Sequence, residues 1–170
     1  MPRSEVEEDY RYKQLVAYNV VRSANSYLTY KRTEKSSESR LWRKYSLGIG
    51  GHINVEDKAQ VTLFSTNNKK TMNFFTRTVW RELEEEIKID MHARSEPRLV
   101  CFINDDSNDV GKVHFGLVWL LEVERPGAVK GKKGLTELRF CDIETLEKNK
   151  TYFETWSQLL IDHISSGKAF

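Results

Sequence analysis

The sequence has few cysteines and prolines and no long apolar segment. Its 170 residues include only two cysteines and three prolines, which argues against a disulfide-rich secreted fold. Cys101 and Cys141 lie apart in apolar contexts, which predicts buried, reduced thiols and a cytoplasmic protein. The longest apolar run, residues 116–121, is far too short to cross a bilayer. The first nine residues contain no apolar stretch, so no signal peptide is expected.

The chain also lacks a strong charge of either sign. With 27 basic and 25 acidic residues its net charge is +2, too small to indicate a nucleic-acid or membrane partner. The length predicts one domain over residues 1–170, with a single sizeable core. Basic residues concentrate between positions 31 and 44. We expect the lysines there to face solvent, whereas Arg32 and Arg40 could equally well meet solvent or a phosphate-bearing substrate.

The apolar pattern predicts a mixed sheet with two main helices. Strands are expected at residues 14–30 (as a hairpin), 46–53, 98–104, 113–124 and 137–141. Helical spacing covers residues 73–89 and 151–164, and the glycines at 48–51 and at 127–134 predict a turn and a flexible loop. Strands combined with one mid-chain helix and one terminal helix give an α/β sandwich.

One stretch has an unusual concentration of carboxylates. Helical spacing from Trp80 to Met91 places Glu82, Glu85 and Glu86 on one face, beside an apolar face. Three carboxylates within one turn repel one another, and a hard divalent cation such as Mg²⁺ or Mn²⁺ would compensate them. A solvated acidic face is the alternative. On this stretch alone we favour that alternative, because glutamate-rich helices are common.

A glycine-dense segment upstream changes that balance. Residues 47–54 read L-G-I-G-G-H-I-N, and residues 81–86 read R-E-L-E-E-E. Together they resemble the signature of the Nudix hydrolases (MutT-like phosphohydrolases), G-x5-E-x7-R-E-U-x-E-E-x-G-U, where U is a bulky aliphatic residue. The match includes the glycine pair, the R-E-L-x-E-E core and the closing aliphatic Ile89. The resemblance spans most of the chain and implies the Nudix fold, an α/β/α sandwich around a mixed β-sheet.

The sequence departs from that signature at three points. Arg81 follows Gly51 by thirty positions rather than fourteen, so sixteen additional residues precede the helix, within about 55–73. Asn73 stands where the signature places its first glutamate, and Lys88 replaces its late glycine. A lysine there can interact with the helix dipole and the terminal carbonyls. We expect the insertion to form an excursion, such as a hairpin, that builds a pocket wall or a dimer contact.

The resemblance implies a role for each residue that matches the signature. Glu85 and Glu86 would be the primary metal ligands, and Glu82 a further ligand or the catalytic base. The carbonyl of Gly50 would complete the coordination of Mg²⁺ or Mn²⁺. Arg81 would orient a glutamate through a charge-assisted pair.

Residues outside the signature supply further candidates. Many Nudix enzymes recruit one more carboxylate from a later loop, and Glu137 is the candidate here, although a plain surface role explains it equally well. The alternatives are Asp105, Asp106 and Asp109. The many Asn and Asp residues in this segment are, however, explained better as turn residues. His52 follows the glycines and could bind substrate together with Arg32 and Arg40, whereas His114 is more often expected to be structural.

The implied function is Mg²⁺-dependent hydrolysis of a nucleoside diphosphate linked to another group, or of a related pyrophosphate. A catalytically silent Nudix-like domain that binds a nucleotide or regulates a partner is the alternative, because the first motif glutamate is missing. The same fold hosts isopentenyl-diphosphate isomerases. Those enzymes use a cysteine in the glycine–histidine segment, and none lies between Gly48 and Asn54, so isomerisation is a distant alternative. The substrate would be the main partner, with a homodimer as a further expectation.

Overall fold

The computed structural model describes residues 3–7, 9–33, 41–54, 74–132 and 135–168. The strands are β1 (Gln14–Ser23), β2 (Ser26–Arg32), β3 (Tyr45–Ser46), β4 (Gly48–His52), β5 (Ile87–Ile89), β6 (Arg98–Ile103), β7 (His114–Glu122), β8 (Val129–Gly131) and β9 (Leu135–Asp142). The helices are α1 (Arg3–Val6), α2 (Phe74–Glu86), α3 (Asp109–Lys112), α4 (Ile143–Lys148) and α5 (Thr155–Ser165). Within this described part of the chain, every helix is too short or too polar to span a bilayer.

Strand β1 organises the main sheet. It runs parallel to β7 along its length, with Gln14 opposite His114. Its other edge is shared between two strands: β4 pairs antiparallel with residues 16–20, whereas β2 pairs only with Arg22 and Ser23. β2 continues to β3 and β9, and β6 lies beyond β7. The sheet therefore divides into two branches beside β1, and β7 is central, as the sequence predicted.

Apolar cores lie on opposite faces of this sheet. On one face α2 packs Val79 and Leu83, both fully buried, in the same cluster as Ala17 of β1. On the other face Trp156 of α5 packs with its ring edge toward Tyr18 of β1, at a centroid distance of 5.6 Å. Alternate residues of β1 thus face the two helices, which follows from the two-residue period of a strand. The expected α/β/α sandwich is confirmed.

The structure corrects the expected boundaries in three places. The glycines at 48–51 lie in strand β4 rather than in a turn. Helix α2 ends at Glu86 rather than Ile89, because Ile87–Ile89 forms β5 and pairs with Val129–Gly131 of β8. Those β8 residues were expected to form a loop. Pairing with a distant segment buries Ile87 to 1% exposure, and this long-range contact outweighs the helical pattern of the local sequence.

Two expectations concern residues that lie outside the described part of the chain. The insertion at about 55–73 falls entirely there, and so does Arg40. The cysteines are described, and both are free thiols that are partly rather than fully buried.

Candidate active site

A cleft of about 730 Å³ opens where β4, α2 and the start of α5 meet. Its wall includes the glycines of β4 and the acidic face of α2. The residues with charged or titratable side chains that line it are Tyr18, Arg32, Lys44, His52, Glu82, Glu85, Glu86, Asp109, His114 and Glu154. The cleft therefore brings the three signature glutamates together with Gly50, Arg32 and His52, residues that are far apart in the sequence.

Glu82 is held tightly against β4. Its carboxyl group lies so close to Gly51 that a Cβ atom added there would be 1.7 Å from the Glu82 Cδ. Arg81 donates through Nη1 to Glu82 Oε1 at 2.6 Å and to Glu85 Oε1 at 3.3 Å. Its Nη2 donates to the carbonyl oxygen of His52 at 3.0 Å. The guanidinium thus joins helix α2 to the end of β4, and the glycine leaves room for the carboxylate.

Every second carbonyl group of β4 points away from β1. The carbonyl oxygens of Gly48 and His52 accept hydrogen bonds from side chains outside β1, those of Tyr30, Ser46 and Arg81. The next N–H along the chain, that of Ile53, donates to a carbonyl of β1 instead. Because backbone groups alternate in direction along an antiparallel strand, the carbonyl of Gly50 also points away from β1. Gly50 lines the cleft, so its carbonyl oxygen is a candidate metal ligand.

Glu85 and Glu86 complete the acidic face of α2. The Glu85 side chain is 57% exposed, and Glu86 is half-buried at the last position of the helix. Within residues 3–168 as far as the structure describes them, no three His, Cys, Asp or Glu side chains converge closely enough to form a ready-made metal site. Glu82 and Glu85 share the guanidinium of Arg81 instead. The donor set still fits a hard divalent cation, because it consists of carboxylates and a backbone carbonyl.

Arg32 and Lys44 add positive charge to the same cleft. The Arg32 guanidinium lies over the Tyr30 ring, with Cζ 5.6 Å from the centroid. Its Nε is buried and has no hydrogen-bond acceptor among the described residues. Burial alone would lower the pKa of Arg32, but neighbouring groups, Glu154 and Glu86 among them, raise it. Lys44 is exposed, as expected for the lysines of this cluster, and it also borders the cleft.

The two histidines meet at one end of the cleft. Their Nε2 atoms are 3.0 Å apart, and their ring centroids are separated by 5.1 Å. His114 is 4% exposed, and its Nδ1 lies 2.6 Å from the carbonyl oxygen of Val110. The pair therefore links the end of β4 to the start of β7 and to α3.

A buried polar network lies beneath the cleft. Glu154 is 7% exposed and caps helix α5, because its carboxylate accepts the N–H groups of Trp156 and Ser157. The Tyr18 hydroxyl donates to Glu154 Oε1 at 2.6 Å and accepts the N–H of Gly48 at 3.1 Å. Burial, followed by the negative charge of Glu154, holds the pKa of Tyr18 well above its usual value. The hydroxyl therefore keeps its proton and remains a donor.

Comparisons with known proteins agree with this arrangement. Protein YmaB of Bacillus subtilis (strain 168) is 35% identical over 171 residues, which cover 95% of this chain and 76% of that protein. Tm1382, whose crystal structure is assigned provisionally to the Nudix hydrolases, superposes with a TM-score of 0.70 at 26% identity, covering 96% of this chain and 76% of that chain. The chain belongs to the Nudix family.

A more distant Nudix-type structure shares the fold. The bifunctional NMN adenylyltransferase/ADP ribose pyrophosphatase from Francisella tularensis, in complex with AMP and a Mn ion, superposes with a TM-score of 0.58. The two sequences are 11% identical, and the match covers 96% of this chain and 47% of that one. At this identity the similarity shows the fold alone. No family model matches the chain.

Glu137, the additional carboxylate expected from a later loop, lies outside the cleft that the signature glutamates line. Glu137 lies on β9 with a positive φ of 52°. It accepts hydrogen bonds from the Tyr45 hydroxyl and, at 3.2 Å, from Lys31, and it is not among the residues that line the cleft. Hydrogen bonds from Tyr45 and then Lys31 hold the pKa of this carboxyl below its usual value. Of the alternatives, Asp109 lines the cleft, whereas Asp105 caps its own loop and Asp106 pairs with Lys13.

Sequence reasoning missed Tyr18 and Glu154 as members of this site. Tyr18 lies in an apolar strand, and nothing local distinguishes it from a core tyrosine. Glu154 carries a weak signal, since it is an acidic residue directly before the amphipathic helix that begins at Thr155, a position typical of a helix cap. Its position beneath the glycine strand follows only from the packing of α5 on the sheet.

Proposed function

We propose that this protein is a divalent-metal-dependent hydrolase that cleaves a phosphoanhydride bond in a nucleoside diphosphate-linked or related pyrophosphate substrate. The observation that carries the proposal is that Glu82, Glu85 and Glu86 line one cleft with Gly50, although Gly50 is far from them in the sequence. Carboxylates and carbonyls are the ligands that Mg²⁺ and Mn²⁺ prefer.

Individual residues of the cleft have separate roles in the proposed hydrolysis. Glu85, Glu86 and the Gly50 carbonyl would hold Mg²⁺ or Mn²⁺, which neutralises charge on the phosphates and activates water. Glu82 is the residue we assign as base or as a further ligand. Arg81 keeps Glu82 against Gly51 through the 2.6 Å contact. A carboxylate so fixed is preorganised and loses little entropy when substrate binds.

Positive charge elsewhere in the cleft would bind the substrate's phosphates. Arg32 suits this role because its buried Nε lacks an acceptor among the described residues, and a phosphate oxygen would supply one. Lys44 and His52 line the same space. The Francisella tularensis relative carries AMP and a Mn ion in its structure, which supports a nucleotide and a divalent metal as the ligands proposed here.

Release of phosphate or of nucleoside monophosphate from a panel of pyrophosphate compounds tests the proposal. The panel pairs nucleoside triphosphates, dinucleoside polyphosphates and nucleoside diphosphate sugars with Mg²⁺, with Mn²⁺ and with a chelator. We expect turnover of at least one class with metal and none with chelator. Tight binding of a nucleotide without turnover under any metal condition would contradict the hydrolase and favour the silent, nucleotide-binding alternative.

A further inference from the structure

We propose that Tyr18 and Glu154 are positioning residues, which hold strand β4 where its Gly50 carbonyl can serve the metal site. The inference rests on the metal-dependent function proposed above. Neither residue belongs to the Nudix signature. They reach β4 from two different elements, because Tyr18 lies in β1 and Glu154 precedes α5.

Side chains fix both backbone polar groups of Gly48, the first residue of β4. Its N–H donates to the Tyr18 hydroxyl at 3.1 Å, and its carbonyl accepts from Tyr30 Oη and Ser46 Oγ at 3.0 Å each. The N–H of the preceding residue, Leu47, donates to a serine hydroxyl of α5 at 2.8 Å. The start of β4 is therefore determined by β1, β2 and α5 as well as by its ladder with β1.

The Tyr18 ring lies directly under the glycines of β4. A Cβ atom at Gly48 would be 2.1 Å from the ring, and one at Gly50 would be 3.6 Å from it. The ring thus lies against the strand from Gly48, whose N–H donates to the Tyr18 hydroxyl, to Gly50, whose carbonyl we assign to the metal. A shift of Tyr18 would be transmitted to Gly50 over this short distance, because packed atoms have little room to rearrange.

Glu154 fixes the Tyr18 hydroxyl, and both of its carboxylate oxygens are hydrogen-bonded within the protein. Its Oε1 accepts from Tyr18 at 2.6 Å and from the Ser157 N–H at 3.0 Å, and the Ser157 hydroxyl also bonds to it. Its Oε2 accepts the N–H of Trp156 at 2.9 Å. Oε1 accepts several donors and Oε2 accepts one, so the carboxylate is held in a fixed position by the protein. Although Glu154 also lines the cleft, we infer that it acts through Tyr18 and β4.

Mn²⁺ titration of the substrate-free protein, with free Mn²⁺ measured by electron paramagnetic resonance, tests the inference. Tyr18→Phe keeps the ring and removes the hydroxyl that joins Glu154 to Gly48, and Glu154→Gln weakens the same link from the other side. We expect both variants to bind Mn²⁺ about tenfold more weakly, as supporting residues around metal sites do when changed. In turnover we expect kcat to fall more than KM changes.

A matched control separates positioning from a general loss of stability. Asp142 caps helix α4 by accepting the N–H of Thr145 at 2.8 Å, away from the cleft. Asp142→Ala should lower the thermal midpoint and leave Mn²⁺ affinity at the wild-type value. Wild-type Mn²⁺ affinity in folded Tyr18→Phe would overturn the inference, whatever Glu154→Gln does. Failure of the wild-type protein itself to bind Mn²⁺ would overturn the metal-dependent function, and the inference with it.

Discussion

His52 and His114 are in direct contact at one end of the cleft, with their Nε2 atoms 3.0 Å apart. The carbonyl of Val110 can only accept a hydrogen bond, so the proton of neutral His114 lies on Nδ1, 2.6 Å from that oxygen. His114 Nε2 then carries a lone pair, and His52 must donate to it from its own Nε2. The geometry thus assigns a tautomer to each ring.

This assignment predicts the nitrogen chemical shifts of the two neutral rings. In long-range ¹H–¹⁵N spectra of neutral histidines, we expect His114 to show a protonated Nδ1 and His52 a protonated Nε2. His114→Ala removes the acceptor, so the His52 signals should change in that variant. Spectra that show the opposite tautomers in the wild-type protein would contradict the hydrogen-bond pattern described for the cleft.

The acidic face of α2 predicts a sharp difference between neighbouring glutamates. Glu85→Gln and Glu86→Gln each remove a proposed metal-binding charge, so kcat should fall roughly a hundredfold with the thermal midpoint little changed. Glu84 is exposed and does not line the cleft, so Glu84→Gln is the matched control. We expect it to stay within about 0.5 kcal/mol of wild-type stability and to keep full activity. Full activity in the first two variants would remove the metal-site assignment.

Gly51 predicts a steric effect on Glu82. In Gly51→Ala the new methyl group would lie 1.7–2.2 Å from the carboxyl atoms of Glu82, so the carboxylate must move away from β4. A displacement near 1 Å can cost about a hundredfold in rate, and we expect a loss of that order in a folded protein. Gly127→Ala is the control, because an added Cβ there meets no atom within 4 Å. Equal activities for the two variants would show that the position of Glu82 is unimportant.

The cap of helix α4 predicts a pH dependence of stability. Hydrogen bonds from the Thr145 hydroxyl and then from its backbone N–H hold the pKa of Asp142 below 3.8. Because the folded pKa is depressed, the charged cap contributes stability above about pH 3.8 and loses it as the pH falls through the folded value. Urea midpoints of wild type and Asp142→Asn should therefore differ at pH 7 and approach each other as the pH falls through that folded value. A difference that grows toward acid pH would reverse the sign of this linkage.

Local patterns in the sequence were sufficient to predict the fold and the family. Helical spacing from position 73 onward located α2 to within a residue at its start, and the apolar run at 113–124 correctly predicted a central strand. The same patterns failed where distant partners decide the structure. Ile87–Ile89 forms a strand because β8 lies beside it.

The residues of the candidate site divide in a similar way. Glu82, Glu85, Glu86 and Gly50 follow from the signature, and the structure places them in one cleft, although their roles stay predictions. The glycine-rich loop before Glu137 makes that residue a candidate, but its interactions depend on the branch of the sheet formed by β2, β3 and β9. Neither that branch nor the approach of α5 to β4 is encoded in any short stretch of sequence.

Helix α2 still ends at a defined position, although the glycine by which the family signature marks that end is absent. The signature's late glycine would terminate this helix, and the chain has Lys88 instead. Here the carbonyl of Glu86 accepts the backbone N–H of Lys132, and the carbonyl of Glu84 accepts its side chain. A residue more than forty positions downstream thus satisfies the carbonyl groups at the end of the helix, in place of a local glycine. A motif search that requires the late glycine would miss relatives in which a remote partner has replaced it, whereas comparison of folded structures does not depend on that residue.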